Sequence, residues 1–594
     1  MKANADVLVE ISWEVCNKVG GIYTVVTSKI NPILNYYKKE SYYCVGPYFP
    51  KKAFGVFEEK VPTADLKKVF DKLKEKGIEC HYGTWLTDGN PNTILIDFSN
   101  FENEINNIKK ELWEWYQIDS LNASHTDFGE PNVWARSVGL FLEEFEIQNK
   151  KKIVAHCHEW LAGGALLYLK QIQSKVATVF TTHATMLGRT LASSNVNLYA
   201  KLKEIDPKAA AYEHGMQEKF LMEKACAEHA DAFTTVSEIT GIEAEHLLGK
   251  KPDIILPNGL DIGKFPSFEE VSIRHKLFKN KMYEFILYYF FPYYSFDIDN
   301  TLIFFLAGRY EFHDKGIDLF IDALAELNKQ LKKEKSDKTV VAFFFVPGNI
   351  KGIKPDLLES KTKFSDINDE INDEIDDIKN HMIHCLLSKK KFSQKNLMSE
   401  STSTDMKKKI LALSKKGSPP LSTHDLYDED KDQILNACWN KQLLNKKDDK
   451  VKVIYYPIYL TGADSLLNTS YYESMVGSHL GVFPSYYEPW GYTPLEAAAL
   501  GVGSVTTDLA GFGRYICKDC NQQKQPGVWV LNRYNKDDAQ VTKDLTKTLL
   551  NFTNLTTQQR VENKITARKI AQMCDWKYFV KHYIEAHNLA LKNV

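Results

Sequence analysis

The pattern that most constrains how this chain can fold occurs twice. Short apolar, β-rich runs alternate with stretches of helical periodicity. Such alternation specifies a parallel sheet covered by helices, because joining parallel strands takes a long crossover that packs back onto the sheet. In the first block Val7–Ile11 reads as a strand, and Val19-Gly20-Gly21-Ile22-Tyr23 turns into a helix through Lys29. Residues 153–155 lead through His158 into another helix, and 177–182 form a β-rich run ending at His183-Ala184-Thr185. Residues 232–236 are a further strand, with Thr240-Gly-Ile-Glu243 reading as a capping box behind it. The pattern restarts with a strand at 302–306 and a helix from about 316 to 331, then strands at 340–346, 451–456 and 481–483.

Two such blocks predict an α/β protein of two Rossmann-like, doubly wound domains, residues 1–270 and 271–575, facing a central cleft. At 594 residues the chain is too long for one core. A formal net charge of −2, from 75 basic and 77 acidic residues, gives no global field that would favour nucleic acid or an anionic membrane. The most apolar run, 285–296, is shorter than the roughly 20 residues of a membrane span and contains Pro292. No signal peptide opens the chain, and ten cysteines are too sparse for a disulfide scaffold, so a reduced, cytoplasmic protein is expected. Cys517-Lys-Asp-Cys520 is a lone CxxC without a second pair, a weak zinc signal.

Residues 351–450 differ in character. Ile367, Ile371, Ile375, Ile378 and Met382 fall at helical spacing on an otherwise acidic helix. Lysine clusters at 389–391 and 407–409 follow, then a breaker at Gly417-Ser418-Pro419-Pro420. A narrow apolar seam suits coiling against a partner helix, and it equally suits packing on its own domain.

The densest chemistry lies at 485–501, SYYEPWGYTPLEAAALG. Pro489 pushes Glu488 onto extended or turn backbone. Thr493-Pro494-Leu495-Glu496 reads as a helix start with Thr at N-cap, Pro at N1 and Glu at N3, so the two glutamates do not share a helix face. A sugar at the loop carboxylate and a phosphate at the helix N-terminus fit that layout. A plain capping box is the structural alternative for Glu496. Arg309 and Lys315 follow a strand at a six-residue offset, where cations can neutralise a diphosphate leaving group. Gly20-Gly21 permits close backbone approach to a ligand, Lys18 beside it adds charge, and His183 stands at a strand end.

Assembled, these residues resemble the animal and fungal type of glycogen synthase, the retaining UDP-glucose-dependent family. The resemblance rests on segments 13–24 (WEVCNKVGGIYT), 158–163 (HEWLAG), 180–189 (FTTHATMLGR), 256–260 (LPNGL), 307–316 (AGRYEFHDKG), 479–496 (HLGVFPSYYEPWGYTPLE) and 575–578 (DWKY). It implies a GT-B architecture whose final helix, 576–594, crosses back to the N-terminal, acceptor-side domain. It implies transfer of glucose from UDP-glucose to the non-reducing 4-OH end of glycogen or another α-1,4-glucan, with retention and without a metal or other cofactor. Glu488 would stabilise oxocarbenium character or act as nucleophile, with His183, Arg309 and Lys315 beside it. Glu496 would bind ribose hydroxyls, and Gly491, Tyr492 and Thr493 would offer backbone N–H groups to the phosphates. Arg189 and Asn258 would surround the donor sugar, and Tyr459 and Tyr471 would stack on uracil. The 351–450 insertion would assemble a homo-tetramer, and a glycogenin-like primer would be a partner.

Three departures accompany the resemblance. Family members bind glucose 6-phosphate through an arginine cluster on a helix near the C-terminus. Here that helix keeps Arg560, Lys564 and Arg568 and lacks most of the arginines, which weighs against this effector. The chain begins shortly before Trp13 and ends after the last helix, so control through phosphorylated terminal extensions is not expected. Lys18 stands where an arginine also occurs, keeping the charge and losing the planar fork. Competing readings are a related GT-B transferase using ADP-glucose or another acceptor, and a catalytically silent glucan-binding scaffold.

Overall fold

A computed structural model describes residues 2–194, 196–390, 400–517, 526–534 and 536–594. Lys391 and Cys520 fall outside the described residues. The first sheet has nine strands: β1 (Val7–Ile11), β2 (Tyr42–Pro47), β3 (Phe57–Glu59), β4 (Glu79–Trp85), β5 (Asn92–Asp97), β6 (Ile153–His158), β7 (Ala177–Thr182), β8 (Ala232–Thr235) and β9 (Ile254–Ile255). Their order is β3-β4-β5-β2-β1-β6-β7-β8-β9, parallel except where β4 runs antiparallel to β3 and β5. The central strands β1, β6, β7 and β8 are buried along their whole length, as strands covered on both faces must be.

The second sheet comprises β10 (Thr301–Ala307), β11 (Thr339–Phe345), β14 (Val451–Tyr455), β15 (Leu480–Val482), β16 (Gly503–Thr507) and β17 (Val528–Leu531). It is parallel throughout, in the order β14-β11-β10-β15-β16-β17. A hairpin of β12 (Ile350–Ile353) and β13 (His424–Leu426) stands apart and brackets the insertion.

Local readings changed where a stronger local signal competed. The helix at Glu238–Leu247 is capped by Ser237, whose hydroxyl accepts from the Thr240 N–H, so Thr240 lies inside the helix. The acidic seam is two helices, Pro355–Asp373 and Ile375–Leu387, with Glu374 between them. Of the seam, Ile375 and Met382 are exposed, as are Ile383, Leu386 and Leu387 beside it, while Ile367, Ile371 and Ile378 are partly covered.

The last helix, Trp576–Asn593, returns to the first sheet. Leu260 and Asp575 form an isolated parallel bridge just before it, and the Trp576 Nε1–H donates to Ser28 Oγ at 2.8 Å. Trp576, Phe579, Val580, Tyr583 and Ile584 join one core with Val25 and Ile30 from the first unit and Trp490, Leu495 and Ala498 from the second. That shared core welds the two units at one edge of the cleft. Trp576→Ala should therefore cost about 3–5 kcal/mol by urea unfolding. The apolar surface laid open spans both units, so loss of a single cooperative transition is expected as well.

Candidate active site

Glu488 lies in the loop between β15 and the helix Tyr492–Ala499. Gly491, at φ 102°, turns the chain into that helix, and a Cβ there would stand 3.3 Å from Glu488 Cγ. Because Gly491 is the N-cap, Thr493 and Pro494 are the second and third helical residues and Glu496 is the fifth. The capping box expected at Thr493 does not form. Proline is tolerated there, since the N–H groups of the first turn have no intrahelical acceptor.

Glu488 Oε2 accepts from Lys315 Nζ at 2.6 Å. The backbone here is held by the start of the helix Gly511–Ile516: Gly511 N–H donates to Glu488 O at 3.1 Å and Phe512 N–H to Trp490 O at 2.7 Å. Arg309 Nη2 lies 2.9 Å from Glu311 Oε1, and Lys315 Nζ lies 3.8 Å from Glu311 Oε2. Glu311 was missed in the sequence, although a glutamate four residues before Lys315 is a recognisable pairing signal. Arg309, Lys315, Glu488 and Thr493 line one cavity of about 190 Å³ at the carboxyl ends of the second sheet. Across from it, desolvation works against the charge of Arg189, yet Tyr487, Glu159, Glu311 and Glu488 together raise its pKa.

His183 follows β7, nearly buried. Its Nε2 is 2.9 Å from His158 Nδ1, and its backbone N–H donates to Glu159 Oε1 at 2.9 Å. Burial, then the nearby Lys29 ammonium, lower the His183 pKa to about 3, so the ring is neutral. Glu159 is a second missed residue. It opens the helix Glu159–Gln171 at φ 66°, a strained backbone for a residue with a Cβ, and burial raises its pKa to about 7 against the pull of Arg189.

Other candidates are placed elsewhere. Glu14 Oε2 accepts from Gly20 N–H at 2.8 Å and from Tyr23 N–H at 2.9 Å. The first helix is thus capped by its own chain, leaving Gly21, with open space at its Cβ position, as the approachable glycine. Lys18 is exposed, 5.6 Å from the Tyr23 ring centre. Glu496 receives hydroxyls from Tyr471 at 3.1 Å and Tyr472 at 2.8 Å. Burial raises its pKa to about 7 despite those bonds. Glu496 opens with Thr24, Ser28 and Tyr472 onto a separate cavity of about 590 Å³. Tyr459 is 73% exposed, Asn258 is buried 3.5 Å from the Tyr583 hydroxyl, and the Tyr492 hydroxyl reaches Gly259 O at 3.3 Å.

The C-terminal cations divide. Arg568 donates to Ala499 O, satisfying the end of the helix that carries Glu496. Lys564 has its pKa lowered to about 7 by burial, with Lys279 and Arg560 adding to the effect. Burial and Lys564 likewise lower His275 to about 3, and burial and His275 depress His479. Counting arginines on one helix had hidden this gathering. His275 and Lys279 come from the helix Phe268–Phe290, and His479 precedes β15.

Two open, largely parallel α/β sheets joined by a returning C-terminal helix make a GT-B fold. The catalytic domain of starch synthase IV from Arabidopsis thaliana shares the architecture at a TM-score of 0.53 and 14% identity, covering 99% of this chain and all (100%) of that one. The family model described as glycogen synthase matches residues 10–594. Glycogen [starch] synthase of Dictyostelium discoideum is 37% identical over 99% of this chain and 66% of its own length. The Neurospora crassa protein is 36% identical over 98% of this chain and 83% of its own length, and isoform 1 of Saccharomyces cerevisiae is 36% identical over 98% and 86%. The chain belongs to the glycogen synthase family, and it is a glucosyltransferase. No helix among the described residues is long and apolar enough to cross a membrane.

His156, His158, His183 and His587 are all held neutral by burial. Their folded pKa values lie below the unfolded value near 6.5, so the unfolded chain binds more protons below that pH. Their contribution is complete above about pH 6.5 and is lost as pH falls towards 3, each group adding about 1.4 kcal/mol per pH unit to the slope. Urea midpoints should fall between about pH 6.5 and pH 5, less steeply than the histidines alone would give, because Glu159 and Glu496, raised to about 7, take up protons in the folded chain over the same range.

Proposed function

We propose that this chain transfers glucose from UDP-glucose to the non-reducing 4-OH end of an α-1,4-glucan, with retention of configuration. The observation that carries this reading is the Glu488–Lys315 pair in a cavity that Arg309 also lines. As the donor bond breaks, negative charge develops on the departing diphosphate, and Arg309 and Lys315 stand where they can stabilise it. Glu488, released as Lys315 turns to phosphate, faces the positive character that develops on the sugar. Backbone N–H groups of Gly491, Tyr492 and Thr493 at a helix N-terminus suit the phosphates. Tyr471 and Glu496 form a hydroxyl–carboxylate unit suited to the nucleoside, with Tyr459 at the rim. His183, Arg189, Lys18 and Gly21 present the opposite wall, the acceptor-side unit 1–270 closing over the nucleotide-sugar unit 271–575. No step in this reading calls for a metal ion.

The exposed apolar residues of the insertion support a homo-oligomer, read as a tetramer of a cytoplasmic enzyme that extends a glycogenin-like primer. Lys279, Arg560 and Lys564 gather beside the neutral rings of His275 and His479, and these three basic groups favour a bound phosphorylated sugar such as glucose 6-phosphate despite the thinned arginines. If so, Lys564→Ala should remove any glucose 6-phosphate response while leaving the unstimulated rate in place.

The direct test is UDP release from UDP-glucose and glycogen without added metal, run beside ADP-glucose. Release that requires both UDP-glucose and glucan is expected, and release with ADP-glucose alone would transfer the assignment to another donor. Glu488→Gln should lower kcat by at least about 100-fold with UDP affinity little changed. Retained turnover in that variant would remove Glu488 from the chemistry.

A further inference from the structure

A chain of buried polar contacts runs from the heart of the first sheet to the cleft. Glu10, on β1, receives the Tyr42 hydroxyl on Oε2 at 2.6 Å. Lys29 Nζ forms an ion pair with Oε1 of the same carboxylate, and both side chains are about 1% exposed. The same Oε1 lies 2.7 Å from His158 Nε2. His158 Nδ1 then lies 2.9 Å from His183 Nε2. Among the described residues the structure gives the His183 ring no further hydrogen-bond partner, so its Nδ1 is the one polar atom of this chain left for a ligand.

Lys29 Nζ also lies 3.4 Å from His158 Nε2, but the 2.7 Å contact of that nitrogen with the Glu10 carboxylate is the shorter and fixes the proton count. Glu10, ionised beside Lys29, can only accept, so His158 Nε2 carries the hydrogen. His158 is neutral, because burial and Lys29 push its pKa well below the usual value. Its Nδ1 is therefore a lone pair, which obliges His183 Nε2 to donate. A neutral His183 with hydrogen on Nε2 presents a lone pair at Nδ1. Glu10, His156 and His158 also lie within metal-ligand distance of one another, but the Lys29 ammonium already supplies the cation beside Glu10.

We infer that the buried Lys29–Glu10 pair, acting through His158, locks His183 as a hydrogen-bond acceptor towards the cleft. Lys29, Glu10 and His158 are positioning residues. His183 takes a hydrogen bond from a substrate hydroxyl, and it cannot serve as the proton donor to the departing phosphate. The inference rests on the reading that His183 contacts the donor sugar, and the tests separate the two.

The first test is spectroscopic and independent of turnover. With ¹⁵N-histidine-labelled full-length protein, the signals lost in His183→Ala identify the two ring nitrogens. Protonated Nε2 and bare Nδ1 are expected, and a hydrogen on Nδ1 would overturn the proposal. The second test is kinetic. In His158→Asn, the amide oxygen can replace Nδ1 as the acceptor for His183 Nε2–H, and the amide should sustain the lock. His158→Leu removes the acceptor and frees the ring to adopt either tautomer. KM for the donor should rise about tenfold in His158→Leu, the scale of one hydrogen bond, while His158→Asn stays near wild type and kcat changes less than KM in both. Equal losses in the two variants would overturn the lock and leave only a packing role. If His183→Ala itself leaves donor KM unchanged, the reading of His183 as a sugar contact fails, whatever its tautomer.

Discussion

The return of the final helix to the first sheet is the constraint on which the rest of the molecule depends. It closes one edge of the cleft with a core drawn from both units, and it also roofs the polar interior of the first unit. Lys29 Nζ sits 4.4 Å from the Tyr583 ring centre, and His587 Nε2 lies 3.2 Å from His156 Nδ1. The other nitrogen of His587 pairs with the Tyr37 hydroxyl at 3.1 Å. One helix thus sets the spacing of the two units and completes the burial of the ion pair behind the active-site wall.

A buried ion pair is weak support for stability, because the cost of desolvating two charges offsets most of their attraction. What Lys29 and Glu10 contribute is direction. A carboxylate fixed as an acceptor imposes the donor and acceptor order on every group bonded in line with it, and in a water-poor interior that order cannot relax through solvent. On the facing unit the logic is reversed. Lys315 and Glu488 remain at the edge of a cavity, and on the proposed function an incoming diphosphate replaces one partner of the pair. Fixed polarity on one wall and exchangeable charge on the other suit a site that must grip a sugar and let a phosphate go.

The fold was legible because parallel strands buried on both faces are written as largely apolar runs, and β10 and β11 are the clearest of them. Glu488, Lys315 and Arg309 stand out in the sequence as candidates, a carboxylate before proline and cations after a strand, and the three line one cavity. Helix starts were less legible. At Thr240 and Thr493 a residue earlier in the chain, Ser237 or Gly491, had already turned the backbone, and the later threonine had no cap left to make. Glu14, Glu159 and Glu311 escaped notice because a carboxylate's role depends on which N–H groups or cations the fold brings to it.

By itself the sequence determined the two α/β units, encoded in local periodicity, and the residue types at the cleft, carried by short motifs; the return of the last helix followed only from the family resemblance. Only the tertiary structure decided which of those residues share a space. Glu488 and Glu496, eight positions apart, open into different cavities because a helix turns the second one away. Lys564 meets His275 and His479, and His158 meets Glu10, across long stretches of chain. Charge, tautomer and pKa follow from such meetings, because they depend on burial and on near neighbours in space, and no local pattern in a chain records either.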